Sequence, residues 1–214
     1  MFDEKRKVVL VGTGFVGMSM AYSVMNTGGV DELILIDVNE EKAQGEAMDI
    51  SDGLPYAKSH LKVMAGSYKD CQDADIVVIT AGAAQKPGQT RLDLAEINAR
   101  ITKNITKQIM SSGFNGIIIV ASNPVDLMSH VVKKVSGLPA NRVIGSGTIL
   151  DTARLRHKMC EYLNVRSANI HAYVLGEHGD SSFVSWDNAY VGCLKLYDYL
   201  DHKGIPHENL QHIH

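Results

Sequence analysis

The hexapeptide Gly12-Thr13-Gly14-Phe15-Val16-Gly17 lies between two short apolar runs, and it constrains the fold of this chain more than any other feature. Residues 7–11 (KVVLV) and 32–37 (ELILID) each have the length and composition of a buried strand. Residues 15–25 between them show helical apolar spacing, closed by Thr27-Gly28-Gly29. A GxGxxG pattern alone is weak. Here it ends a strand, opens a helix and precedes an acid, Asp37, placed 20 residues after Gly17 at the end of the next strand. That is the context of a dinucleotide site. Gly12 allows the tight turn, Gly14 leaves the pyrophosphate's approach clear, and Gly17 lets helix and strand pack closely. The helix start offers N–H groups and a favourable dipole to the anion. Asp37 is suited to accept hydrogen bonds from the ribose hydroxyls and to repel a 2′-phosphate, which favours NAD over NADP. The alternative is a glycine-rich turn in an ordinary α/β protein. Lys42 suits either the adenosine end or a solvated helix face.

The same alternation continues along the chain. Strands are expected at 61–65, 76–81, 116–121 and 142–144, and helices at 40–50, 91–110, 125–135 and 148–163. Short, continuously apolar strands alternating with helices predict a parallel sheet covered on both faces, an α/β doubly wound Rossmann domain over residues 1–145. From residue 146 the pattern changes. Shorter strands at 171–175, 183–186 and 190–194 suggest the start of an α+β domain over 146–214.

The bulk properties exclude several classes. The 214 residues are 45% hydrophobic and 21% charged, with net charge −3, so no basic surplus points to nucleic acid or an anionic membrane. No stretch reads as a secretory signal or is long enough to span a bilayer, which suggests a cytoplasmic protein. Cys71, Cys160 and Cys193 have neither a disulfide nor a metal spacing and read as buried or half-buried thiols. No metal site is expected. His207 and His212, in HENLQH, are five apart rather than the four of a zinc-protease helix, so residues 207–214 read as a solvated helix start. Asn104-Ile105-Thr106 fits a glycosylation sequon, set aside for want of a signal peptide.

Two later segments carry reactive side chains. In Gly176-Glu177-His178-Gly179-Asp180 a histidine stands between glycines, open to a ligand and of the residue type suited to proton transfer near neutral pH. Asp151 and Arg154 are three apart and share a helix face after Gly145-Ser146-Gly147. A carboxylate there could orient an imidazole, and an arginine could grip a substrate carboxylate through two parallel hydrogen bonds. Read alone, His178 is as compatible with structure as with catalysis, and Asp151–Arg154 with an intrahelical ion pair.

Taken in order, GTGFVG, Asp37, TAGAAQKPGQTR, SNPVD, GSGTILDTARLR and GEHGD resemble the L-lactate and L-malate dehydrogenase family over the whole chain. The resemblance implies a nicotinamide-binding domain, a mixed α/β catalytic domain and a homotetramer. It makes His178 the proton donor to a ketone and Asp151 the residue that holds the His178 tautomer. Arg154 becomes the grip on the substrate carboxylate, and Arg91 a carbonyl-polarising residue on a loop that closes. It adds Asn123 and Asp126 as substrate contacts. Val16, Tyr68, Gly82, Ala83, Ala121, Asn123 and Ser146 join Gly12, Gly14, Gly17, Asp37 and Lys42 around the cofactor.

Gln85 decides between substrates. Malate-specific relatives carry an arginine there to pair with a second carboxylate, and neutral Gln85 suits the methyl of pyruvate, with oxaloacetate as the alternative. Arg156 and His171 fall where bacterial members activated by fructose 1,6-bisphosphate carry basic effector residues. Family chains continue well past His214, so this chain reads as a C-terminally truncated member. The contrasting reading is a non-catalytic NAD-binding module, which would have no need of Arg91, Asp151, Arg154 and His178 together.

Overall fold

The structure is a computed structural model that describes residues 5–83, 88 and 91–213. The chain divides into two compact units that meet in sequence at Gly145 and Ser146.

The first unit runs β1 (Lys7–Val11), α1 (Phe15–Thr27), β2 (Glu32–Ile36), α2 (Glu40–Gly53), β3 (Lys62–Ala65), β4 (Ile76–Ile79), α3 (Arg91–Ser111), β5 (Ile117–Val120), α4 (Val125–Ser136) and β6 (Val143–Gly145). The strands form one sheet in the order β3-β2-β1-β4-β5-β6, and every neighbouring pair is parallel. Parallel neighbours need crossovers, which α1 to α4 provide. The sheet is therefore doubly wound, and the winding reverses between β1 and β4. A ligand crevice opens at the carboxyl ends of strands at such a reversal.

The period of two along a strand divides the core. Val9 and Val11 of β1 join Ile34, Ile36, Val77 and Ile79 on one face, under Ile105 and Ile109 of α3 and Met128 and Val132 of α4. Val8 and Leu10 join Leu33, Leu35 and Val78 on the other, under Ala21 and Met25 of α1 and Ala47 and Ile50 of α2. Leu10 and Leu35 are fully buried. Truncating such a leucine to alanine costs about 2–5 kcal/mol, from lost burial plus the cavity left behind. Rigid strands of this kind hold their terminal loops in fixed places.

The second unit runs α5 (Ile149–Leu163), β7 (Ile170–His171), β8 (Val174–Leu175), β9 (Phe183–Val184), β10 (Tyr190–Val191), β11 (Leu194–Lys195) and α6 (Leu196–Lys203). Its strands form an antiparallel sheet in the order β11-β10-β7 and a separate pair, β8-β9. Leu155, Met159 and Leu163, on one stripe of α5, pack with Ile170, Ala172, Val174, Leu196 and Leu200.

Here the structure corrects several expectations. The strand expected over 171–175 is two strands in two sheets, because the chain changes partners at Ala172 and Tyr173. The run 190–194 is a hairpin turning at Gly192, whose φ is 60°. The strand expected at 183–186 stops at Val184, and Trp186 begins a 3-10 turn. Helix α6 rests on one apolar pair, Leu196 and Leu200, too little for periodicity to register; both are fully buried. The tail is not a solvated helix start. His207–His212 is a 3-10 helix, and Leu210 and Ile213, three apart and thus on one face of such a turn, are buried in the core. Of the thiols, Cys71 is buried and Cys160 half-buried, but Cys193 is exposed beside the hairpin glycine.

Candidate active site

In the first unit a cleft of about 740 Å³ opens where β1, β2 and β4 end. Among its walls are the expected Gly12, Gly14, Asp37, Lys42, Tyr68, Gly82 and Ala83. Gly12 has φ 104°, and a Cβ there would lie 2.6 Å from the Ala81 nitrogen. A Cβ on Gly17 would collide with the Gly12 carbonyl oxygen, so Gly17 serves the packing of α1 on the loop. A Cβ on Gly14 would meet nothing within 4 Å, so the space above it is open.

The ends of the two flanking helices differ. Asn39 caps α2 by accepting from Lys42 N at 3.0 Å, and Glu40 and Glu41 occupy its first turn. Helix α1 has Gly14 at its cap, no side-chain cap hydrogen bond and no acid in its first turn. Its N–H groups and positive dipole end are therefore left for a ligand anion. The glycine cradle and this uncapped start fit a dinucleotide pyrophosphate.

Asp37 is tied into the same loop. Its Oδ2 accepts from Thr13 N at 2.8 Å and Thr13 Oγ1 at 2.9 Å, and its Oδ1 from Asn39 N at 3.0 Å. Burial alone would raise the carboxyl's pKa. The hydrogen bonds from Asn39 and Thr13, with the nearby charge of Lys42, outweigh it and hold the group below the usual aspartate value. Asp37 therefore stays anionic near neutrality. Burial, with Cys71 and Asp37 adding smaller effects, pushes the Tyr68 phenol up to about 12.

The other expected cofactor contacts lie apart from these walls. Val16 is exposed in the first turn of α1, Ala121 and Asn123 follow β5, and Ser146 opens the second unit. Asn123 precedes Pro124 through a cis peptide and is exposed, as is Asp126 in the first turn of α4. Arg91 begins α3. Gln85 lies outside the described residues.

In the second unit the structure brings three expected residues together. Asp151 lies in the first turn of α5, and His178 in the loop between β8 and β9. His178 Nδ1 is 2.6 Å from Asp151 Oδ2, and both side chains are about three-quarters buried (26% and 22% exposed). Arg154 Nη1 lies 3.6 Å from Asp151 Oδ1 with its side chain 65% exposed. Asp151 thus holds one ring nitrogen, which fixes the ring's orientation and favours a proton on Nδ1. Arg154 keeps a largely exposed guanidinium beside the pair.

Two threonines that sequence reasoning missed fasten this arrangement. Thr148 Oγ1 donates to the Val174 carbonyl at 2.7 Å, and Val174 N donates to Thr152 Oγ1 at 3.0 Å. Four apart and on one face of α5's start, they hold β8, and so the His178 loop, against the helix bearing Asp151. Asn104, set aside above as a sequon, lines the dinucleotide cleft. Its position on the cleft side of α3 was the only available signal, and it could be read only with the fold in hand. Arg156 Nε donates to the Ala172 carbonyl at 3.1 Å, and its guanidinium lies 4.7 Å from the Tyr173 ring centre. His171, exposed, immediately precedes Ala172 on β7.

Comparison with known proteins agrees with this geometry. Residues 6–145 match the family described as lactate/malate dehydrogenase, NAD binding domain, and residues 148–214 match its alpha/beta C-terminal domain. An L-lactate dehydrogenase of Priestia megaterium is 56% identical over 211 residues, covering 98% of this chain and 66% of that protein. L-lactate dehydrogenase 2 of Bacillus cereus is 57% identical over 190 residues, covering 89% of this chain and 60% of that one. The chain therefore spans between 60% and 66% of the length of these curated relatives. Among solved structures, a lactate dehydrogenase from a Medee basin deep-sea metagenome library superposes with a TM-score of 0.94 at 56% identity, covering 98% of this chain and 67% of that one. The minor L-lactate dehydrogenase of Enterococcus mundtii, in its ligands-bound form, gives a TM-score of 0.95 at 49% identity, covering 99% and 68%. The glycine cradle, the anionic Asp37, the His178–Asp151 pair and these matches lead to one conclusion: the chain belongs to the lactate/malate dehydrogenase family, and its first unit is that family's NAD-binding domain.

Proposed function

We propose that the protein is an NAD-dependent L-lactate dehydrogenase that interconverts pyruvate and L-lactate. The observation that carries this reading is the His178–Asp151 pair at 2.6 Å with Arg154 beside it. Arg154 binds the substrate carboxylate. His178, oriented through Nδ1, gives a proton from Nε2 to the ketone oxygen of pyruvate, and Asp151 stabilises the imidazolium from which that proton leaves. In lactate oxidation the same nitrogen takes the proton back. Asn123 donates a hydrogen bond to the reacting oxygen, and Arg91 polarises the carbonyl. Asp126 contributes to the substrate side, as Ala121, Ser146 and Val16 do to the cofactor side. When bound in the cleft, reduced nicotinamide dinucleotide supplies the hydride to the carbonyl carbon. Pyruvate, reduced cofactor and one proton then yield lactate and oxidised cofactor.

The choice of pyruvate over oxaloacetate rests on neutral Gln85 and on the names of the relatives. Neutral Gln85 offers a second carboxylate no charge to pair with, a cost of roughly 2 kcal/mol or more. Following NADH absorbance with each keto acid tests this. Turnover with pyruvate at least about tenfold more efficient than with oxaloacetate is expected, and the reverse preference would overturn the reading.

Arg156 and His171 form the proposed site for fructose 1,6-bisphosphate in a homotetramer. The bond from Arg156 to Ala172 supports this reading, because it holds the guanidinium through Nε beside the residue next to His171. If Arg156→Ala with His171→Ala leaves the sugar bisphosphate's effect on the apparent KM for pyruvate intact, the site lies elsewhere. A cytoplasmic location is part of the proposal; among the described residues no helix is long and apolar enough to cross a membrane.

A further inference from the structure

Asn98 lies on α3, seven residues beyond Arg91, and is 4% exposed. A buried primary amide is costly unless both its ends are paired. Here both are, and each to a different segment of chain. Asn98 Oδ1 accepts from Ala83 N at 2.8 Å, and Asn98 Nδ2 donates to the Asn123 carbonyl at 2.9 Å. The amide cannot be turned over, because that would face donor with donor and acceptor with acceptor. Close by, buried Ser122 donates to the Ala81 carbonyl at 2.7 Å, a second tie between the chain leaving β4 and the chain leaving β5. Gly82 packs against the amide; a Cβ there would lie 3.4 Å from Asn98 Oδ1. Helix α3 does not need Asn98 as an anchor, since Ile105 and Ile109 already hold it in the core.

We infer that Asn98 is a positioning residue for the substrate side of the first unit. One amide sets the relative placement of three segments: the chain at Gly82 and Ala83 that leaves β4, the helix that starts at Arg91, and the turn bearing Asn123. This rests on the reading of Arg91 and Asn123 as substrate contacts. Small displacements there are costly, since a misplacement of about 1 Å can lower rates by about 100-fold.

Two substitutions separate the arms. Asn98→Leu removes both hydrogen bonds, and Asn98→Asp keeps an acceptor for Ala83 N–H while removing the donor to Asn123. In hydrogen–deuterium exchange, Asn98→Leu is expected to speed exchange in both 81–83 and 121–124 and to leave β1 and β2 protected. Asn98→Asp is expected to act at 121–124 alone. In turnover per folded protein, Asn98→Leu should lower kcat/KM for pyruvate by about tenfold to 100-fold, with KM raised, while NADH affinity, read by fluorescence, is unchanged. Simple loss of folded protein would instead lower kcat and leave KM alone. The inference is overturned if exchange is unchanged in both segments or rises evenly across the sheet, or if pyruvate KM stays at the parental value. Should the parent itself fail to turn over pyruvate, the functional reading falls, and the exchange pattern alone decides the role of Asn98.

Discussion

The two units build their sites from different materials. In the first, the dinucleotide cleft is largely backbone: a glycine turn, a helix start with no side-chain cap, and Asp37, whose carboxylate also holds Thr13 in place. In the second, the proposed reactive centre is side chains: a histidine, a carboxylate and an arginine, set on one helix and one loop. The supporting frameworks differ in the same way. The first rests on parallel strands of three to five residues, the central ones buried, and the second on strands of two residues joined by turns. A backbone site tolerates changes in most of its side chains but not in the glycines of its turn or in Asp37. A side-chain site fails at single positions while its fold persists.

The sharpest break between them comes from His178→Asn. Losing the proposed proton donor should lower kcat/KM for pyruvate by about 100- to 10,000-fold, with NADH binding by fluorescence unchanged. Equal loss of NADH binding would mean that the units do not divide the labour as described. A smaller effect is expected for Asp37→Ser. It removes the proposed ribose acceptor and leaves Thr13 N–H without its charged partner, a hydrogen bond worth about 1.5–3 kcal/mol. NADH affinity should fall by about tenfold or more, and NADPH should be gained poorly because the loop itself loosens. A clean switch to NADPH at full efficiency would show that Asp37 acts on the ribose alone. The smallest effect concerns the thiols. Burial pushes the Cys71 thiol up to about 12, with Asp70 adding to the rise and Lys7 partly opposing it. Iodoacetamide should therefore label Cys193 first, Cys160 next and Cys71 only on unfolding, as read by peptide mass spectrometry. Early labelling of Cys71 would contradict the tight packing of the first unit.

Asn98 adds to the contrast. It is a side chain that serves the backbone, and it sits where the sheet hands over to the segments that follow β4 and β5. Thr148 and Thr152 do the corresponding work in the second unit by gripping Val174. None of the three is chemically reactive, and their residue types give no hint of the role.

The sequence by itself determined the doubly wound sheet and the glycine turn, and it singled out Asp37, His178, Asp151 and Arg154 as candidate site residues. Those features depend on local rules: apolar runs of strand length, glycines where a Cβ cannot fit, and a helix start that follows a strand. The tertiary structure alone decided which residues meet. It split the run 171–175 between two sheets, turned 190–194 into a hairpin and drew Leu210 and Ile213 into the core. It also set His178 against Asp151 across 27 residues of chain and gave Asn98 its two partners. Contacts between residues distant in sequence depend on how elements pack, and a strand of two residues has too short a pattern to announce either its face or its partner.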